Sequence, residues 1–223
     1  MSTKSIIAAV VVAVIGVAGF ILMLTSGRGH TVYVPDDAAR HREKGEFLLN
    51  KRRHTTNQQK KAELLTQAID EFKTALKSKP DFDVAFNMLG HCYIERGQWE
   101  DALKNLDRAL EIRPDYPAAR FNRGRVYQRL SVGKRDHKYI DMAIVDYQAA
   151  LKSELAANFV GDLHKVLADA YHQKGDFKQA IEELKIYLKK APHAQDAVLV
   201  RRKIRGLQLM LKGTAPPLTA PVE

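Results

Sequence analysis

Eight histidines and one cysteine are the side chains in this 223-residue chain best suited to hold a metal or act as a nucleophile. His164 and His172 stand eight residues apart in a stretch that reads as one helix. That spacing separates them by about 12 Å along the axis, too far to share one ion. The histidines therefore read as surface or groove residues. Cys92 has no partner for an internal disulfide, and its apolar neighbours suggest a buried, inert thiol. No Ser-His-Asp or Cys-His grouping emerges from the spacing, and the Cys-x-x-Cys-His haem signature is absent. Lys134 follows Gly133, but no glycine-rich phosphate loop precedes it and no strand leads into one. The expectation is a protein with no catalytic residues, no metal and no cofactor, and so not an enzyme.

The informative pattern is a periodic one. Between Asp83 and Tyr116 the order Phe86, Leu89-Gly90, Tyr93, Gly97, Trp99, Ala102, Leu106, Ala109-Leu110, Pro114 describes two short amphipathic helices with a turn at Gly97. Gly90 and Ala102 leave room for the two backbones to approach closely and bury Leu89, Tyr93, Leu103 and Leu106. At an offset of 34 residues, Ala68, Phe72, Ala75 and Pro80 match Ala102, Leu106, Ala109 and Pro114, while Gly124 and Tyr127 match Gly90 and Tyr93. A later copy carries Leu167-Ala168, Tyr171, Gly175, Phe177, Ala180, Leu184 and Pro192.

These marks resemble the tetratricopeptide repeat, a 34-residue helix-turn-helix unit. The resemblance runs from about Asp37 to Pro192. It implies an all-α, right-handed solenoid of about four repeats. It also implies a groove lined by the first helix of each repeat, with a protein or peptide partner. Transferred by position, the groove residues are Asn87, His91 and Ile94 in the second repeat, Phe121, Arg125 and Gln128 in the third, and Lys165, Asp169 and His172 in the fourth. The residue set by which some members hold chaperone tails is matched only at Asn122, so that partner class is not expected. Arg123 stands where the pattern usually has Leu, which implies either a packed stem with a snorkelling head or a locally rotated helix.

The division that follows is a short head (1–5), a transmembrane helix (6–24), a linker (25–36), repeats (37–80, 83–116, 117–155 and 161–192), a capping helix (193–212) and a disordered tail (213–223). Ile6 to Leu24 is 19 residues without a charge or proline. As a helix it would span about 28 Å, close to the hydrocarbon thickness of a bilayer. Asp36 or Asp37 is expected to cap the first helix, and Thr56-Asn57-Gln58-Gln59 reads as a capping box for the second. The third repeat carries a surplus over Ser131–Lys138, with Asp136 as a cap, and the fourth follows a break containing Gly161. Ala197, Val200, Ile204, Leu207 and Leu211 fall at helical spacing and suit a helix that covers the last apolar face of the stack.

Net charge is +10, which favours an acidic partner or anionic lipid. Lys51, Arg52 and Arg53, with Lys134, Arg135 and Lys138, fall at the turns between the two helices of a repeat and should share one edge facing an acidic partner. Nucleic acid is not expected, because no aromatic residues are interleaved with these charges. The reading is a membrane-anchored scaffold or adaptor that recruits or helps assemble a protein complex. Its alternative is binding of anionic lipid through basic loops. A short basic head before a long globular part is usually inserted head-inside, so the soluble part is expected on the non-cytoplasmic side. A reporter enzyme active only outside the cytoplasm, fused after Glu223, should then be active; an inactive fusion reverses the orientation.

Overall fold

Each helix begins and ends where its flanking side chains dictate. The structure, a computed structural model, describes residues 36–134 and 136–213. Within these residues lie α1 (Asp37–Arg53), α2 (Gln58–Ser78), α3 (Asp83–Arg96), α4 (Trp99–Ile112), α5 (Pro117–Lys134), α6 (His137–Leu151), a 3-10 turn (Glu154–Phe159), α7 (Val160–Lys174), α8 (Phe177–Lys190) and α9 (Ala197–Leu211), with no strand among them. The expected membrane span (6–24), head (1–5), most of the linker and tail, and Arg135 lie outside the described residues. Among the described residues no helix is long and apolar enough to cross a membrane.

Asp36 caps α1, accepting from the Ala39 N–H at 2.6 Å. Asn57 rather than Thr56 caps α2, accepting from the Lys60 N–H at 2.9 Å, so the expected box is displaced by one residue. Asp136 accepts from the Lys138 N–H at 2.9 Å. Gly97 and Gly175 close α3 and α7 in the left-handed region, with φ of 73° and 88°, where a Cβ would be strained. The surplus of the third repeat is mostly helix, because Ser131–Lys134 continue α5. The break before the fourth repeat is the 3-10 turn, and Gly161 lies inside the first turn of α7.

The helices pair as α1/α2, α3/α4, α5/α6 and α7/α8, and each later first helix also packs on the second helix before it. Within the first three pairs a glycine receives a large side chain from the partner helix. A Cβ built on Gly45 would lie 2.6 Å from Phe72, one on Gly90 2.6 Å from Leu106, and one on Gly124 2.5 Å from Tyr147. In the fourth pair Ala168 stands at the equivalent place and is fully buried. Ala68, Ala102, Ala143 and Ala180 are likewise fully buried on the second helices.

A second stripe on each first helix faces the preceding pair. It comprises Ala85, Leu89 and Cys92 on α3, Ala119 and Val126 on α5, Leu163, Leu167 and Ala170 on α7, and Val200, Ile204 and Leu207 on α9. α9 packs on α8 through this stripe.

Arg123 interrupts the stripe on α5, and neither sequence expectation describes it. Its head is tied to two carboxylates, with 22% of the side chain exposed. Nε donates to Asp146 Oδ2 at 2.7 Å, Nη2 to Asp146 Oδ1 at 2.8 Å, and Nη1 to Asp107 Oδ1 at 2.8 Å. The Asp146 side chain is 3% exposed. Hydrogen bonding to Asp146 holds the guanidinium protonated beyond its ordinary range. A charged fork thus bridges α4, α5 and α6 at a position otherwise built from apolar residues.

Filling the Gly124 gap should force Tyr147 from its place. Gly124→Ala is expected to cost about 1–3 kcal/mol in urea unfolding. Gly133→Ala, where nothing lies within 4 Å of the added carbon, should be neutral or mildly stabilising. Equal effects of the two substitutions would refute the close-approach account.

Candidate functional site: a hollow along the first helices

The first helices leave two neighbouring hollows. One of about 300 Å³ is lined by Glu46, Leu49 and Arg53 of α1, Asn87, Met88 and His91 of α3, Ala118, Phe121 and Asn122 of α5, and by Phe159 and Asp162. The other, about 480 Å³, lies over the C-terminal halves of α3 and α5 and meets α7 through Val166 and Gln173. Its wall includes Ile94, Glu95, Trp99, Arg125, Gln128 and Arg129.

Helical periodicity puts these residues on one side, because positions three, four and seven apart share a face. Asn87, His91 and Ile94 follow that spacing on α3, and Phe121, Arg125 and Gln128 on α5. The structure brings all six to the hollows: Asn87, His91 and Phe121 to the first, and Ile94, Arg125 and Gln128 to the second.

The fourth repeat behaves differently. Lys165, Asp169 and His172 line neither hollow. Lys165 sits 3.1 Å from Asp196 and 3.3 Å from Asp162, with its ammonium 5.0 Å from the Tyr187 ring centroid. Asp169 is paired with Lys203 of α9, and the His172 ring lies 5.8 Å from that of Phe177. α9 lies against this repeat, with its Lys203 taking up Asp169 and the preceding Asp196 taking up Lys165. His164, expected on the surface or in the groove, is instead buried, with Nδ1 2.7 Å from Glu183.

The floor of the first hollow is a buried amide pair. Asn122 Nδ2 donates to Asn87 Oδ1 at 2.9 Å, and Asn87 Nδ2 donates to the Tyr116 hydroxyl at 3.3 Å. Asn87 is 1% exposed, so it shapes the wall more than it offers itself to a ligand. Phe121 meets Phe159 edge-on, with centroids 5.8 Å apart, and the Arg125 guanidinium lies 5.9 Å from the Phe121 centroid. Leu49, Met88 and the two phenylalanines supply apolar wall, and Arg53 supplies a cation at the mouth. Burial lowers the His91 pKa, Arg125, Arg53 and Arg52 lower it further, and Glu95 opposes them. Burial thus favours the neutral imidazole, with Glu95 and the three arginines acting on it in opposite senses. Chemically, such a hollow accepts an extended chain with an apolar side chain beside a carboxylate.

Residue-by-residue transfer from the sequence missed Leu49, Arg53, Met88 and Phe159 as lining. Phe159 had a signal, since it ends the extra residues between α6 and α7. Arg53 was assigned to the basic edge, but it turns into the hollow at the end of α1. Arg52 is engaged with Glu95 at 2.9 Å, Lys51 and Lys138 are exposed, and Lys134 ends α5. The Cys92 thiol is buried and pushed up to about 12 by that burial. Among the described residues no group of three or more His, Cys, Asp or Glu could hold a metal ion.

Comparison with known proteins agrees with this geometry. Residues 90–131 match the family described as TPR repeat, and residues 141–200 the family described as tetratricopeptide repeat. The chain thus carries tetratricopeptide repeats. The fold is similar to MamA of Desulfovibrio magneticus RS-1, with 16% identity, TM-score 0.61, and 81% of this chain and 88% of that one covered. It is also similar to YrrB, described as a TPR protein with an unusual peptide-binding site, with 21% identity, TM-score 0.56 and 74% of each chain covered. TTC0263, a thermophilic TPR protein of Thermus thermophilus, is similar as well, with 21% identity, TM-score 0.53, and 77% and 92% covered.

His91 provides a check on burial at the wall of the hollow. Its folded pKa lies below the unfolded value near 6.5, so the unfolded chain binds more protons between the two. Its contribution to stability is complete above about pH 6.5 and falls away as pH drops through the folded value. Two-dimensional NMR of the imidazole should show titration below that of a free histidine, moving upward in Arg125→Gln; an upshifted His91 would contradict its burial at the wall of the hollow.

Proposed function

We propose that this protein is a membrane-tethered scaffold that uses the hollow along α1, α3 and α5 to hold an extended, acidic segment of a protein partner. The observation that carries the reading is the meeting of apolar wall and uncompensated cation there: Phe121, Phe159, Leu49 and Met88 beside Arg53 and Arg125. Most other charges on the first helices are already engaged, as Arg42 is with Glu46 at 2.7 Å and Arg52 with Glu95. A ligand gains most from groups whose partners it supplies, and charge-assisted hydrogen bonds to arginine are among the stronger ones available.

Support also comes from the similar fold of YrrB, which is described as having a peptide-binding site. In this reading Ile6–Leu24 crosses the bilayer, the repeats face away from the cytoplasm, and the job is recruitment or assembly of a complex, with no chemical step. The exposed Lys51 and Lys138 at the helix-pair turns contribute long-range attraction more than specific contacts.

The test is site-specific photo-crosslinking in the full-length protein in its own membrane, with the probe at Ala118 in the hollow or at Lys104 on the exposed side of α4. A discrete adduct is expected from position 118 alone. Arg53→Glu with Arg125→Glu should reduce it tenfold or more, about the worth of one charge-assisted contact, with the helical content and melting transition kept. The same adduct from position 104, or one indifferent to both charge reversals, would overturn the assignment.

A further inference from the structure

We infer that the partner segment lies lengthwise along α5, with an apolar side chain in the first hollow and acidic side chains two and four residues further along over Arg125 and Arg129. The inference rests on the peptide-holding role proposed above and names the pattern such a segment must carry. Ala118, Phe121, Arg125, Arg129 and Val132 recur at intervals of three or four residues, so they form one stripe on α5. The first two stand in the wall of the first hollow and the last three in the wall of the second. The stripe therefore runs from one hollow into the other. The hollows also adjoin: Arg53 of the first and Arg125 and Glu95 of the second all act on His91, and the Arg125 guanidinium lies 5.9 Å from the Phe121 ring centroid.

Spacing selects an extended chain. From Phe121 to Arg125 and from Arg125 to Arg129 the stripe advances about 6 Å per step along the helix axis. Side chains on one side of an extended chain recur every second residue, about 6.6 Å apart. The two rows thus stay in register over three positions, with a mismatch on the order of 1 Å. Charge decides which end lies where. Arg125 and Arg129 have no carboxylate within salt-bridge distance among the described residues, and Glu95, the acid in the same wall, already holds Arg52 at 2.9 Å. The first hollow is flanked by acids instead, Glu46 on Arg42 at 2.7 Å and Asp162 on Lys165 at 3.3 Å. A path across the array towards α7 meets no row of cations, because Asp196 takes up Lys165 and Lys203 takes up Asp169. The pattern recognised is apolar-x-acidic-x-acidic, in either chain direction.

The experiment is photo-crosslinking from Ala118 or from Val132 in the full-length protein in its own membrane, with each captured segment sequenced by mass spectrometry. The two positions stand about 21 Å apart along the helix, which is about six residues of extended chain. Both probes should capture the same partner segment at points about six residues apart, with its acidic residues towards the Val132 adduct and its apolar residue towards the Ala118 adduct. Arg129→Glu should lower both yields about tenfold, while Arg108→Glu on the exposed side of α4 should leave them unchanged; helical content and melting transition should be kept in both variants. Attachment at one and the same residue from both positions, or capture from Ala118 alone, overturns the lengthwise path and leaves the proposed role standing. Yields indifferent to Arg129→Glu, or a captured segment without acids at that spacing, overturn the pattern in the same way. Adducts to residues 1–35 or 214–223 of the chain itself, to lipid alone, or to nothing from either position overturn the inference and the proposed role together.

Discussion

Two helix backbones can nest only where one of them gives up its side chain, and that constraint governs the whole molecule. Gly45, Gly90 and Gly124 each yield the space that Phe72, Leu106 or Tyr147 fills. The knob varies, while the socket is glycine in the first three pairs and Ala168 in the fourth. Because the socket is on the first helix and the knob on the second, each pair repeats the same packing relation, and neighbouring first helices such as α3 and α5 come into contact. The hollow is a by-product of that repetition. Packing and site are also linked directly, since the Tyr147 hydroxyl donates to Gln128 Oε1 at 3.1 Å, joining a core ring to a wall residue of the second hollow.

Polar groups on the first helices divide into those spent inside the protein and those left for a partner. Arg123 is wholly spent on Asp146 and Asp107, and Asn87 on Asn122 and Tyr116. Removing one member of such a buried set strands the other, so these groups specify the stack more than they add to its net stability. In the fourth repeat α9 takes up Asp169, and the residue before it, Asp196, takes up Lys165. The hollow is consequently richest where no later helix consumes its charges, between α1 and α5. The 3-10 turn reinforces this by setting Phe159 against Phe121, an aromatic wall that a regular repeat spacing would not supply.

The two ends of the array are unlike. At one, α9 buries Val200 and Leu207 inward and exposes Arg201, Arg202 and Arg205 together with Val198, Leu199, Leu209 and Leu211. At the other, α1 keeps the register of an internal helix but carries different residues on its outer stripe.

Residue order was enough to read the helix pairs, the small residues between them and most caps, and it put six of the nine residues it singled out on the walls of the two hollows. All of these depend on contacts within one helix or between neighbours at a fixed interval, so spacing carries them. The fate of Lys165, Asp169 and His172 was settled only by packing, because it depended on α9 and its approach bringing Asp196 and Lys203 against α7. Packing settled Arg123 in the same way: the pattern predicts an apolar residue there, and the buried carboxylate that accepts the charge lies 23 residues further on. It also separated Arg53 from Arg52, neighbours of the same type on the last turn of α1. A rotation of about 100° per residue turned one into the hollow and the other onto Glu95. Charge type is local information, whereas the partner of a charge is set by which helices the packing brings together.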